Sequence, residues 1–257
     1  RAAKAGTVTL RGGLRLTATA FRAVTDDRIL RRLIDPEARK RLLSASLARL
    51  GLREIDAPVG RGFHLPRRPG PVELFIEDRP MTIARWPNDG FLKTGKLTNG
   101  DTDHPTIALA TDRLQHWRTA EEPWVFGYWR WDWADESLPI RLIAAAKNTI
   151  TLAGKHRYGV REGREFWVEN LLEEIDRAGE YYVHRSSGLL FLYPPEGFRD
   201  AKIEVSTVKE PLIRIRGAKD VTLEGLIIGP TRGTGVRVDG GENITIAGCR
   251  VQNAGQT

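Results

Sequence analysis

Among its 257 residues the chain has one cysteine, one methionine and five histidines, and each scarcity removes a class of chemistry. A lone Cys249 cannot form an intrachain disulfide, and inside a β-branched run it reads as a buried structural thiol. The histidines at 64, 104, 116, 156 and 184 include no close pair at metal-ligand spacing. His184 reads as a surface strand residue. Long apolar runs are missing, so no membrane span is expected, and Arg1-Ala-Ala-Lys shows neither an initiator Met nor a secretory apolar stretch. A signal peptide removed or left out is the expectation. No stripe of aromatics alternates with the cations, which argues against nucleic acid despite a net charge of +7. The basic residues scatter, with short clusters at Arg31-Arg32, Arg39-Lys40-Arg41 and Arg67-Arg68. They suit a solvated surface or an anionic polysaccharide.

What the chain does contain is a repeat. Asp220-Val-Thr-Leu-Glu-Gly-Leu-Ile-Ile falls on Asn243-Ile-Thr-Ile-Ala-Gly-Cys-Arg-Val at an offset of 243 − 220 = 23 residues, and Ile213-Arg-Ile-Arg-Gly falls on Val236-Arg-Val-Asp-Gly at the same offset. A fixed period with short β-branched runs and recurring Gly predicts a solenoid whose unit cannot bury its apolar side alone. Val221, Leu223 and Leu226, or Ile244, Ile246 and Cys249, are expected to point inward, with Thr222 and Thr245 outward. Gly217, Gly225, Gly240 and Gly248 mark the corners, where φ > 0 is needed. The leucine-rich pattern Leu-x-x-Leu-x-Leu-x-x-Asn is absent, so the expectation is a parallel β-helix. Residues 7–16 echo the repeat, which implies that the solenoid is interrupted and then resumes near Ile203. With so few coils, the chain is expected to be a piece of a longer solenoid.

Between these ends the pattern changes. Asp26 to Leu50 turns helical in period, with Asp35 as N-cap, Pro36 at the first helical position and Gly51 as the stop. Pro and Gly crowd residues 57–71, a boundary signal. Val72–Glu77 and Met81–Trp86 read as two strands of a hairpin around Asp78-Arg-Pro. Asn99, Asp101 and Asp103 carry oxygens that could hold calcium, although turn chemistry is their commoner use and no acidic residue completes an EF-hand loop; no cofactor is otherwise expected. Ile140 to Ala153 reads as strand, turn and strand, Phe166 to Ile175 as a short helix, and Glu180 to Pro195 as a hairpin. The domains follow: 1–57 an amino-terminal coil plus helical segment, 58–204 an inserted β-rich domain, an antiparallel barrel or sandwich with short helices, and 205–257 the resumed coils.

Aromatics concentrate at residues 124–136. Strand alternation would put Trp129, Trp131 and Trp133 on one side and Tyr128, Arg130 and Asp132 on the other. Indole faces suit the apolar face of a sugar, and Asp132, Asp135 or Glu136 could accept its hydroxyl hydrogen bonds. Core packing is the preferred reading for most of these rings, with one exposed ring left over.

Met81-Thr-Ile-Ala-Arg-Trp-Pro-Asn88, Gly127-Tyr-Trp-Arg-Trp-Asp-Trp-Ala-Asp135, Val168-Glu-Asn-Leu-Leu-Glu-Glu-Ile175 and Ser187-Gly-Leu-Leu-Phe-Leu-Tyr-Pro-Pro195 make the chain similar to a family. It resembles the bacterial right-handed parallel β-helix proteins related to glycoside hydrolases, which carry an inserted β-rich domain. The resemblance covers nearly all residues from about 24 onward. It implies a secreted, periplasmic or cell-surface protein acting on glycans, with catalytic carboxylates on coils beyond residue 257.

On the coils themselves the outward carboxylates are few. Asp239 and Glu224, with Glu242 behind them, are the candidates for a glycoside hydrolase, which needs two carboxyl groups flanking the scissile bond. Substrate contacts are expected from Trp129, Trp131, Asp132, Trp133, Asp135 and Arg237. A polysaccharide lyase is the alternative, with Arg214, Arg216 and Arg237 stacked as a uronate carboxylate site. A binding or adhesive β-helix without catalysis is the third reading.

Overall fold

The computed structural model describes residue 4, residue 6 and residues 8–100 and 102–256. The architecture is mainly β with short helices, in mixed parallel and antiparallel sheets.

The repeat folds into three parallel ladders. Ile213–Lys219 pairs with Val236–Glu242, Thr222–Glu224 with Thr245–Ala247, and Leu226–Ile228 with Arg250–Val251, all in the register that carries Ile213 onto Val236 and Thr222 onto Thr245. Val8–Leu10 extends the third ladder from the other side, in parallel with Leu226–Ile228. The corners turn at Gly217, Gly225, Gly240 and Gly248, each with φ between 55° and 71°. Leu226 and Ile228 are buried, with Leu223, Val236 and Cys249 packed against them. Ile246, expected inside, is 48% exposed. Its ladder neighbour on one side is Leu223, and no described strand lies on the other.

Gly13–Leu16 leaves the parallel ladders and pairs antiparallel with Ile203–Ser206, which also takes Leu74–Ile76. Leu43–Ser46 pairs with Leu189–Leu192 in a five-stranded sheet. Strands from before residue 57 are therefore hydrogen-bonded into the same sheets as strands from the middle of the chain. A seven-stranded sheet joins Trp124–Gly127, Glu136–Ala144, Thr149–Leu152 and Glu165–Glu169 with three shorter strands, Arg85–Trp86, Leu92–Lys93 and Thr106–Ala108, and its inner face buries Trp117, Trp129, Ile150 and Phe166. Fully burying each such side chain contributes roughly 1.5–3 kcal/mol.

Several local expectations change. The helical stretch predicted for 26–50 is two short helices, Asp27–Leu30 and Pro36–Arg41, followed by a strand. Asp35 does cap the second, accepting from the Ala38 N–H at 2.7 Å. Gly51 instead follows a turn, at φ 105°. Phe166 to Ile175 is not helical: Glu165–Glu169 is a strand with alternating burial, and only Leu172–Glu174 makes a 3₁₀ turn. The hairpin around Asp78 is limited to Phe75 and Ile76 against Pro80 and Arg79, because Thr82–Ile83 and Arg85–Trp86 leave for two other sheets. Ile140 to Ala153 and Glu180 to Pro195 form the expected strand pairs.

Asn99 serves its turn: its side-chain oxygen accepts from the Thr106 N–H at 2.7 Å and its amide donates to the His104 carbonyl at 2.9 Å. Asp101 lies outside the described residues. Among the described residues no group of three or more His, Cys, Asp or Glu could hold a metal ion. Among the described residues no helix is long and apolar enough to cross a membrane.

Candidate functional site

A cleft of about 500 Å³ opens where the Pro- and Gly-rich segment 57–71 passes between the sheets and the coils. Two features hold that segment. Arg232, 5% exposed, donates from Nε to the Gly70 carbonyl at 2.8 Å, and the Gly70 N–H returns a bond to the Arg232 carbonyl at 2.7 Å. At the other end Gly62 bridges Glu136 at φ 138°, where an added Cβ would lie 2.3 Å from the Asp135 carbonyl oxygen. Only glycine fits there. The close approach lets the Arg61 carbonyl accept from Ser137 N–H at 2.7 Å, fixing Arg61 on the cleft wall.

Two glutamates from distant parts of the chain meet this cavity. Glu73 precedes the strand Leu74–Ile76, and its backbone N–H donates to Ser206 Oγ at 3.0 Å. Burial pushes its carboxyl above the usual range, with Arg61 and Arg232 pulling only partly back. Glu169 ends its strand opposite Trp124 on one side and Arg85 on the other, so all three project from one sheet face. Burial raises Glu169 too, against the Trp167 indole N–H bonded to it at 2.7 Å and the charges of Arg85 and Arg61. Trp124 and the buried Tyr181 complete the apolar lining. A carboxyl that keeps its proton above its normal range can donate it near neutral pH, and a second carboxyl beside it can accept.

The residues expected from sequence are spread over other places. Trp129 is fully buried, its indole N–H donating to the Glu136 carbonyl at 2.8 Å, so it packs the sheet core and offers no face to a ligand. The alternation that grouped it with Trp131 and Trp133 ends with the strand at Gly127. Trp131 and Trp133 are 42% and 58% exposed. Trp133 meets Phe63 and Tyr158 edge to face, and Trp131 lies near Arg130 and Arg161. Asp132 pairs with Arg164, and the Asp135 carbonyl accepts from Phe63 N–H at 2.9 Å. Behind them Glu136 is buried, its carboxyl pushed up to about 7 by desolvation and then by Asp135, with His156 Nε2 3.8 Å away.

On the coils, Asp239 is held between Arg237 Nε at 2.7 Å and Arg214 Nε at 2.8 Å. The Arg237 hydrogen bond, then Arg214, keeps its carboxyl below the usual range. Such a group holds no proton to donate, and its single charge is shared by Arg214 and Arg237, two of the three arginines expected to stack there. Glu224 stands on a different ladder, opposite Ala247. The structure does not bring Asp239 and Glu224 together on one strand pair.

Sequence reasoning missed Glu73 and Glu169. A signal was present: Glu73 interrupts the apolar run from Val72 to Ile76, and Glu169 ends an alternating strand beside Trp167.

No family model matches the chain, and no curated protein matches it. Among solved structures, one described as a glycoside hydrolase is similar to it over 93% of the chain with a TM-score of 0.53 at 16% identity. The likeness is one of fold, and the chain spans 36% of that protein's length.

Proposed function

We propose that this chain belongs to a glycan-processing protein of the glycoside hydrolase kind, and that the sugar chain is handled in the cleft lined by Glu73, Glu169 and Trp124. The carrying observation is the pair of desolvated carboxyls facing one cavity beside an indole. In this reading the three ladders are coils of a right-handed parallel β-helix, interrupted by the middle sheets, and the protein works outside the cytoplasm. One protonated glutamate donates its proton to the departing glycosidic oxygen, and the other, ionised, takes a proton from the water that attacks the anomeric carbon, so the bond to the leaving sugar is replaced by a bond to the water oxygen. Trp124 stacks on the apolar face of a pyranose. Trp133 would serve an outer part of a long chain.

The fold likeness and the 23-residue ladders support this reading. Against the lyase alternative stands the pairing of Asp239 with Arg214 and Arg237, two of the three arginines Arg214, Arg216 and Arg237 that it would use. The test is reducing-end release from a panel of polysaccharides, together with oligosaccharide binding, by the full-length protein and its variants. Trp124→Ala is expected to abolish binding. Glu73→Gln or Glu169→Gln should keep binding and lose turnover. Turnover unchanged in both glutamine variants, with binding indifferent to Trp124→Ala, would move the function away from this cleft.

A further inference from the structure

The charges lining the cleft do not balance among themselves. Asp56 alone answers both Lys209, at 2.7 Å, and Arg232, at 2.9 Å, while Glu122 answers Arg185. Arg61 and Arg68 line the same cavity, and neither has a carboxylate within ion-pair distance among the described residues. The Arg61 guanidinium spends one nitrogen on the Gly255 carbonyl, leaving the rest of its donor fork. Arg68 is exposed, and its side chain makes no hydrogen bond among the described residues. The two remaining acids, Glu73 and Glu169, are the ones whose charged form burial disfavours. Arg61 and Arg68 are both exposed, so each can turn its free donor nitrogens toward a ligand in the cleft.

We propose that the ligand of the cleft is an acidic glycan whose sugar carboxylate is received by Arg61 and Arg68; this rests on the glycan reading above. A guanidinium fork matches a carboxylate in geometry, and such charge-assisted bonds are about twice as strong as neutral ones. Trp124 supplies the contact common to charged and neutral sugars, and the two arginines supply the discrimination.

The test compares matched tetrasaccharides that differ only at C6: glucuronate with glucose, galacturonate with galactose, mannuronate with mannose. Binding to the full-length protein is measured by calorimetry at constant ionic strength. One uronate is expected to bind at least roughly tenfold more tightly than its neutral parent. Arg68→Gln, which breaks no contact in the fold, should erase most of that ratio, and Arg61→Lys should lower it. Arg15→Gln, an exposed cation on another sheet, should leave it intact and so exclude general attraction to a basic protein. Equal or better binding of the neutral parents, lost in Trp124→Ala, overturns the acidic preference while keeping the glycan cleft. A uronate preference unmoved by Arg68→Gln overturns the assignment to this site. Failure of every saccharide to bind overturns both readings.

Discussion

Asp239 on the coils and the glutamates of the cleft are carboxylates under opposite forces. Asp239 stands toward water between two guanidinium groups, which hold it ionised. Glu73 and Glu169 stand half out of water, near Arg61 but with no ion pair to it, and desolvation outweighs the attraction. The comparison shows that an outward position on a regular ladder is a poor guide to reactive chemistry. Outward residues on stacked coils have neighbours one coil away at fixed spacing, and opposite charges there find each other. An irregular wall such as 57–71 can instead hold a carboxyl beside apolar rings without supplying a counter-ion.

The strongest way to break the comparison is to remove the wall. Gly62→Ala places a Cβ against the Asp135 carbonyl at a φ that side chains rarely adopt, and should cost about 3 kcal/mol of stability and open the cleft. Chemical denaturation and saccharide binding measure the two effects. Next, Glu73→Gln and Glu169→Gln should each lower turnover about 100-fold or more, with melting temperatures equal to or above the parent's, whereas Asp239→Asn should change turnover less than about twofold. Equal losses at all three positions would erase the distinction.

A third prediction uses the buried Glu136. Its carboxyl titrates near 4.5 when unfolded and about 7 when folded. Between those values the folded state keeps a proton that the unfolded state has lost, so stability falls as pH rises through the window. Glu136→Gln should make that fall shallower in thermal melts from pH 4.5 to 7; superimposable profiles would mean that Glu136 is not desolvated. The smallest effect concerns Asp239, whose lowered folded value has the opposite sign. Its contribution is present above pH 3.8 and is lost as pH falls through the lowered value. Because the pair is a surface one, Asp239→Asn should move the melting temperature at pH 7 by less than about 3 °C.

The parallel ladders were legible because their information is periodic. A 23-residue offset, β-branched runs and corner glycines say the same thing twice, and the ladders pair in that register. The cap at Asp35 was legible because one side chain and one backbone N–H decide it. Phe166 to Ile175 was misread as helix because its Leu-Leu-Glu-Glu end has helical composition, whereas pairing with Trp124–Gly127 decides the strand before it. The tryptophans were grouped by an alternation that holds only while the chain stays extended, and it stops at Gly127. The cleft was hidden for a different reason. Glu73, Arg61 and Glu169 converge through pairings among strands far apart in sequence, and no local spacing encodes that convergence.

The most direct test of the cleft assignment follows the side-chain carboxyl ¹³C shifts of Glu73 and Glu169 through a pH titration, with and without an oligosaccharide that the protein binds. The account predicts that both titrate above the ordinary glutamate value of 4.5 and that saccharide moves both midpoints. Midpoints at the ordinary value, untouched by a bound saccharide, would contradict it.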